Sequence, residues 1–364
     1  MEPRSTEASW EREAWGGVDG REATLFTLVN RAGMRARILD YGATLVGLEL
    51  PGDGRGGAVD VVLGLDALVG EQGYAGPQPY LGATIGRVAN RIGGAAFRLG
   101  GERVTLPAND GENHLHGGPA GFHRQLWAAQ LLPDAEAPGL ALSHLSRDGE
   151  GGFPGRVWAD VCYRLGPGRV LSLELRATCD AVTPVGLTHH PYFNLAGHGA
   201  GDVLGHRLTV DGSYYTPTDA HLVPTGEVRR VAGTPFDFRA GRSLGEAVLD
   251  GTLPDGYDVN VMLGGAADGL RLAARLDDPG SGRRLEVWTT QRALQVYTAG
   301  SLDGSLVGKG DVRYGRFAGV ALEAQALPNA VNLPHLPQVW LQPGELYLQR
   351  IEYRFPPAPD GVGA

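Results

Sequence analysis

Between residues 157 and 177 the chain alternates with a period of two. Val157, Ala159, Val161, Tyr163 and Leu165 are interleaved with Trp158, Asp160, Cys162 and Arg164. After Gly166-Pro167-Gly168, Leu171, Leu173, Leu175 and Ala177 are interleaved with Ser172, Glu174, Arg176 and Thr178. Successive side chains of an extended chain point to opposite faces, so this spacing builds a hairpin with one apolar face. A helix would repeat its apolar stripe about every 3.6 residues and is excluded here. The same signature recurs where Ala95–Leu99 and Val104–Leu106 flank Gly100-Gly101, a turn suited to positive φ, and where Leu270–Leu276 and Arg284–Thr290 flank the loop Asp277–Gly282. Further strands are expected at Ala23–Asn30, Met34–Asp40, Thr44–Leu50, Leu126–Leu131, Leu140–Leu145, Leu294–Ala299, Val320–Glu323 and Tyr347–Phe355. The one helical signal is Gly241–Leu249, with Ser243 as its N-cap. Many short strands, divided by 57 glycines and 24 prolines, specify an all-β protein built as a large antiparallel β-sandwich or barrel. No break in composition marks a linker and no repeat is evident. Residues 21–356 therefore read as one domain between tails, 1–20 and 357–364, expected to fray.

Charge narrows the function. With 32 basic and 41 acidic residues the net charge is −9, which repels phosphate backbones and anionic lipid, so neither nucleic acid nor a membrane surface is an expected partner. No window approaches the about 18 apolar residues of a membrane helix. The opening MEPRSTEASWEREAWGG has no apolar core of a secretory signal, and a cytoplasmic location is expected. Cys162 and Cys179 are too few for a disulfide framework and lack CxxC spacing. Gly52-x-Gly54-x-x-Gly57 matches a dinucleotide fingerprint only as a string, because VDVVLG, a strand pattern, follows where a helix is required.

Four of the ten histidines fall in two groups, His114-x-His116 in NHLHGG and His189-His190 in LTHHPYFNLAG. A structural role, zinc ligation and acid–base catalysis all compete for them. Within each group the side chains alternate faces when extended, so one histidine from each group facing a shared cleft suits acid–base work better than a compact metal site. Glu323, in VALEAQALPNAVN, sits in an apolar stretch where a carboxylate is costly without partners. Asp258 in DGYDVNVML and Asn90-Arg91 in GATIGRVANRI read either as surface residues or as polar groups at strand ends.

Together these segments resemble the aldose 1-epimerase (galactose mutarotase) family. The matching stretches are DVVLGLDALVG at 60–70, PYLGATIGRVANRIGG at 79–94, NHLHGGPAGFHRQLW at 113–127, LTHHPYFNLAGHG at 187–199, DGYDVNV at 255–261, LQVYTAG at 294–300 and ALEAQALPNAVN at 321–332. They occur in the family's order. The resemblance implies a single β-supersandwich with a sugar cleft on a concave face, no cofactor and no metal. The implied reaction interconverts the α and β anomers of a free aldohexose such as galactose or glucose, by a monomer or homodimer. His190 would protonate the ring oxygen, Glu323 would take the proton of the C1 hydroxyl, and His116 would hold or polarise these atoms. Asn90, Arg91, Asp258 and Gln295 would bind sugar hydroxyls.

Two positions depart from the family's pattern. Val259 follows Asp258 where a histidine is common, and HHP at 189–191 replaces the usual polar-His-Ser/Thr order. Neighbouring strand residues face opposite ways, so Asp258 can keep its role beside Val259. A glycoside hydrolase using Asp258 and Glu323 as a carboxylate pair is the rival enzyme, but it leaves both histidines unexplained. A non-catalytic sugar-binding module would need neither a proton donor nor an acceptor. A family member specialised for a phosphorylated hexose would want additional Arg or Lys in the cleft.

Overall fold

The computed structural model describes residues 8–52, 57–134, 136–265 and 269–357. Strands dominate. A nine-stranded antiparallel sheet runs in the order Ala128–Leu132, Gly139–Ser146, Val157–Gly166, Val170–Cys179, Tyr347–Arg354, Arg284–Thr289, Arg271–Asp277, Arg207–Val210 and Arg242–Ser243. A six-stranded sheet runs Tyr192–Phe193, Val320–Gln325, Ala293–Tyr297, Asp258–Leu263, Gly212–Thr216 and Arg229–Arg230. A five-stranded sheet follows chain order from Ser9–Val18 to Val59–Asp60.

The period-two hairpin forms as its pattern dictates. Val157 to Gly166 pairs residue for residue with Cys179 to Val170, and Val157, Val161, Tyr163, Leu165, Leu171, Leu173 and Leu175 are buried. They meet Val259, Val261, Leu294, Val296, Leu322 and Ala324 from the six-stranded sheet in the main core. That sheet thus spends one face on the core and turns the alternate residues the other way. Leu99 pairs with Glu102 across Gly100 and Gly101, whose φ values of 61° and 92° a side chain would resist.

Three expectations are corrected. Residues 9–18 do not fray: they form the edge strand paired with Arg21–Val29, although nearly all of their side chains are exposed. Backbone ladder bonds hold this strand, and an apolar pattern does not record them. The helix shrinks to Glu246–Leu249 with Gly245 at its N-cap, while Ser243 lies in a short strand and donates its hydroxyl to Leu204 O. Glu323 is not at a strand end; the strand continues to Gln325 before Pro328. The strands Arg207–Val210 and Gly212–Thr216 were not foreseen, and the strand begun by the neighbours Asp258 and Val259 runs to Leu263. Part of the Gly52–Gly57 string and residues 358–364 lie outside the described residues.

Candidate active site

Three backbone constructions converge on a cleft of about 750 Å³. The first is a two-residue ribbon in which Arg91 pairs with Leu115 and Ile92 with His114. Its ladder continues one step: the His116 N–H donates to Asn90 O, and the Asn90 N–H donates to the His116 ring at Nδ1, both at 3.2 Å. Asn90 and His116 take left-handed φ values of 62° and 52° to do so. Gly117 follows because a Cβ there would lie 1.8 Å from Gly86 O. The second construction pairs Thr188–His189 with Thr84–Ile85. The His190 N–H then donates to Ala83 O, and Gly82 N–H to His190 O.

The third is the six-stranded sheet. Asn260, Gln295 and Glu323 lie in register on adjacent strands, and Asp258 and Tyr297 occupy the next row on the same face. Glu323 and Gln295 are buried, and the cleft is lined by Asn90, Arg91, His116, His190, Asp258, Gln295 and Glu323. All seven residues singled out from the sequence therefore meet in one place. The remaining histidine of each group faces away. His114 Nδ1 bonds Pro107 O, and His189 lies in the core between the hydroxyls of Tyr163 and Tyr353.

His190 Nε2 and Glu323 Oε1 are 3.4 Å apart, with their side chains only 3% and 2% exposed. Burial pushes His190 down to about 4. Burial, then the neighbouring charge of Asp258, push the Glu323 carboxyl well above its usual range. Each group resists its charged form, so the pair rests as a neutral carboxylic acid beside a neutral imidazole rather than as a standing ion pair. Among the described residues Glu323 Oε2 and His190 Nδ1 have no hydrogen-bond partner.

His116 has a different role written into its geometry. A backbone N–H can only donate, so Nδ1 must be the acceptor, and the neutral ring carries its proton on Nε2. Burial, then His190, hold His116 well below its ordinary value and keep it neutral. It is a fixed N–H donor.

Around these groups Arg91 Nε donates to Asp110 Oδ2 at 2.7 Å, and Arg91 lies 4.0 Å from Asp258 Oδ2. Gln295 Nε2 donates to Asp258 Oδ1. Burial raises Asp258, with Arg91 and Gln295 opposing the rise. Asn90 Oδ1 accepts from the Arg91 N–H, leaving its NH₂ end for a ligand.

Sequence reasoning missed three neighbours. Asp110 anchors Arg91. Tyr80 places its ring 4.6 Å from that of His116 and 6.0 Å from that of His190. Tyr192, 5.0 Å from His190 by ring centres, donates its hydroxyl to Pro79 O. Tyr192 lies inside the HHPYFN string and was accessible to period-two reasoning; Tyr80 reaches the site through a left-handed φ of 60° that no pattern announces.

His116, His190 and Glu323 also offer three ligand atoms within 4.8 Å of one another. The spacing would accept a cation, but the donors do not: His116 Nε2 carries the proton that ligation would have to remove, and Nδ1 cannot take it up against the Asn90 N–H.

The fold and the cleft together define a galactose mutarotase-like protein. The structure of galactose 1-epimerase from Lactobacillus acidophilus matches with a TM-score of 0.82 at 29% identity, covering 96% of this chain and 99% of that one. The aldose epimerase homologue from C. elegans matches with a TM-score of 0.80 at 28% identity, over 96% and 99%. The aldose 1-epimerase family model matches residues 24–354. Galactose mutarotase of Bos taurus is 42% identical over 322 residues, 88% of this chain and 91% of its own. Aldose 1-epimerase of Escherichia coli is 38% identical over 342 residues, 93% and 96%. The chain belongs to the aldose 1-epimerase family.

Proposed function

We propose that Glu323 and His190 carry the proton transfers of anomer interconversion in this chain, with free aldohexoses such as galactose and glucose as substrates. The activity class follows from family membership: the protein is an isomerase that interconverts the α and β anomers of aldoses. The single observation that supports the assignment of roles is the sealed 3.4 Å contact between His190 and Glu323.

Mutarotation opens a cyclic hemiacetal. Glu323 takes the proton as the O1–H bond breaks, O1 forms a double bond to C1, the C1–O5 bond breaks, and His190 delivers its proton to O5. The aldehyde turns about C1–C2. On closure O5 returns its proton to His190 as it attacks C1, and Glu323 returns its proton to O1. The pair passes from carboxylate and imidazolium to carboxylic acid and imidazole and back, with one proton throughout. Burial favours the second state, which accompanies the open-chain sugar, and the polar hydroxyls of bound sugar favour the first. Acid–base catalysis of this kind contributes about 10²–10⁴-fold, and positioning supplies the rest.

His116 supports the same reaction as a neutral donor toward the oxygens that gain charge. Asn90, Arg91, Asp258 and Gln295 bind hydroxyls and set the ring against the pair. The hydrolase alternative would need Asp258 as a second catalytic carboxylate, whereas Gln295 and Arg91 hold it as a binding group.

Charge supports an uncharged sugar. Among the described residues Arg91 is the cleft's one basic residue other than the histidines, and it already answers to Asp110 and Asp258, while Asp255 adds further acid. Two free thiols, Cys162 and Cys179, fit a reducing cytoplasm, and no helix among the described residues is long and apolar enough to cross a membrane. The proposal takes the protein to act there as a monomer or homodimer. Polarimetry on freshly dissolved α-D-galactose and α-D-glucose, with and without protein in a weakly catalytic buffer, tests the activity. Relaxation that does not depend on protein concentration refutes it.

A further inference from the structure

Two residues beyond Glu323 on the same strand, and so on the same face, stands Gln325. Its side chain is completely buried, and it is absent from the lining of the cleft. A buried amide needs partners for both of its ends, and here only one is served among the described residues: Nε2 donates to Gln295 Oε1 at 3.4 Å, while Oε1 has no partner there. The register explains the reach. Gln325 pairs with Ala293, whose small side chain leaves room for Gln325 to lean toward its diagonal neighbour Gln295.

The direction of this chain is set from its far end. The Asp258 carboxylate, when ionised, only accepts, so Gln295 must turn its NH₂ toward Asp258 and its carbonyl away. That carbonyl then requires a donor, which Gln325 supplies. The two ends of a glutamine amide have nearly the same shape. Without Gln325 the carbonyl of Gln295 would be buried and unpaired, and rotation of the amide would not relieve it, because that would set the carbonyl against the Asp258 carboxylate.

We propose that Gln325 is a positioning residue for sugar binding: by satisfying the Gln295 carbonyl it holds in place the amide that Asp258 orients, so that Gln295 and Asp258 present one defined donor and acceptor pattern to the sugar hydroxyls. This rests on the reading of the cleft as an aldohexose site. Gln325 touches no substrate, and its effect passes entirely through Gln295.

The test is a double-mutant cycle read by affinity as well as turnover. Galactose Kd by calorimetry, and KM and kcat by polarimetry, are measured for wild type, Gln325→Leu, Gln295→Ala and the double variant, with circular dichroism as the folding check. Gln325→Met, which keeps length and removes the donor, replaces Gln325→Leu if the latter does not fold. Gln325→Leu is expected to raise Kd and KM by about tenfold, more than it lowers kcat, and to change neither further once Gln295 is alanine. A Gln325 variant with wild-type Kd, or one that loses as much affinity in the Gln295→Ala background as in wild type, overturns the proposal. Wild-type protein that binds galactose without converting its anomers refutes the proposed reaction but leaves the relay to be read from Kd; wild-type protein that does not bind galactose refutes both.

Discussion

His190 Nε2 lies 3.4 Å from Glu323 Oε1, at a point closed to solvent, where each group is driven toward its neutral form. An ordinary surface ion pair would be charged at neutral pH and would contribute little. This pair instead rests with one proton on Glu323 beside a neutral His190, and bound sugar hydroxyls, by favouring the carboxylate–imidazolium arrangement, allow it to exchange acid and base roles within a single turnover.

The pH dependence follows from that count. Below about pH 4 His190 accepts a second proton while Glu323 is still protonated, so the pair has no base and activity falls. Far enough above the usual carboxylate range the pair loses its proton and the acid disappears. Polarimetric kcat/KM should therefore not fall as pH is lowered from 7 to 5 and should decline only near 4. A fall in activity on acidification through about 6.5, the value of a histidine in water, would show that His190 titrates outside the pair.

The adjacent histidine should behave differently. Tyr163 donates its hydroxyl proton to Ala43 O, so it must accept from His189 Nε2–H, and His189 Nδ1 accepts from Tyr353. His189→Phe orphans the Tyr353 hydroxyl and should cost about 1–3 kcal/mol in thermal or denaturant unfolding, with kcat of the folded protein within about threefold of wild type. Burial holds His189 down to about 3. As pH falls below about 6.5 the unfolded chain therefore binds a proton that the folded chain refuses, and stability declines with acid. The variant should decline less steeply. Wild-type stability, or a loss of turnover as large as that of a His190 variant, would contradict this division of labour.

How much of this was legible in the sequence depended on which force placed each residue. Val157–Leu165 and its partner strand were readable because burial of one face writes a period of two into the side chains. The edge strand Ser9–Val18 was not, since its ladder bonds to Arg21–Val29 use the backbone alone and leave side chains free to vary. The Asp258–Leu263 strand carries the same alternation, apolar at Val259 and Val261 and polar at Asp258 and Asn260, but it was read only at its first pair because the run is short. The faces separated correctly all the same, with Val259 buried in the core beside a cleft-facing Asp258. The seven site residues came from the family resemblance joined to histidine and carboxylate chemistry. Gln325 was one step of the same alternation beyond Glu323, but an amide with no titratable proton draws no attention until its partner is seen.

Phosphorylated sugars should be poor substrates. A phosphate adds about two negative charges to a cleft that already holds Asp110, Asp255 and Asp258 against Arg91. Glucose 6-phosphate and galactose 6-phosphate should show kcat/KM lower than the free hexoses by about tenfold or more, the gap narrowing as salt is added. Equal rates for the phosphorylated and free sugars would require a cation that this cleft does not present.

Metal should be dispensable. The Asn90 N–H fixes the proton of His116 on Nε2, so the three clustered donors cannot all turn lone pairs to one ion. Dialysis against a chelator should leave anomer conversion unchanged. Activity lost on dialysis and restored by zinc would overturn the assignment of His116 as a hydrogen-bond donor.

The central claim is that Glu323 and His190 act as one proton-exchanging unit, and stopped-flow polarimetry on wild type, Glu323→Gln, His190→Asn and the double variant tests it most directly. Glu323→Gln keeps the shape and removes the base; His190→Asn keeps a polar group and removes the acid. Each folded single variant should lose about 10²-fold or more in kcat, and the double variant should fall little further, because groups that act as a unit are strongly non-additive. Near-normal turnover in a well-folded Glu323→Gln, or two small losses that simply add, would contradict the account.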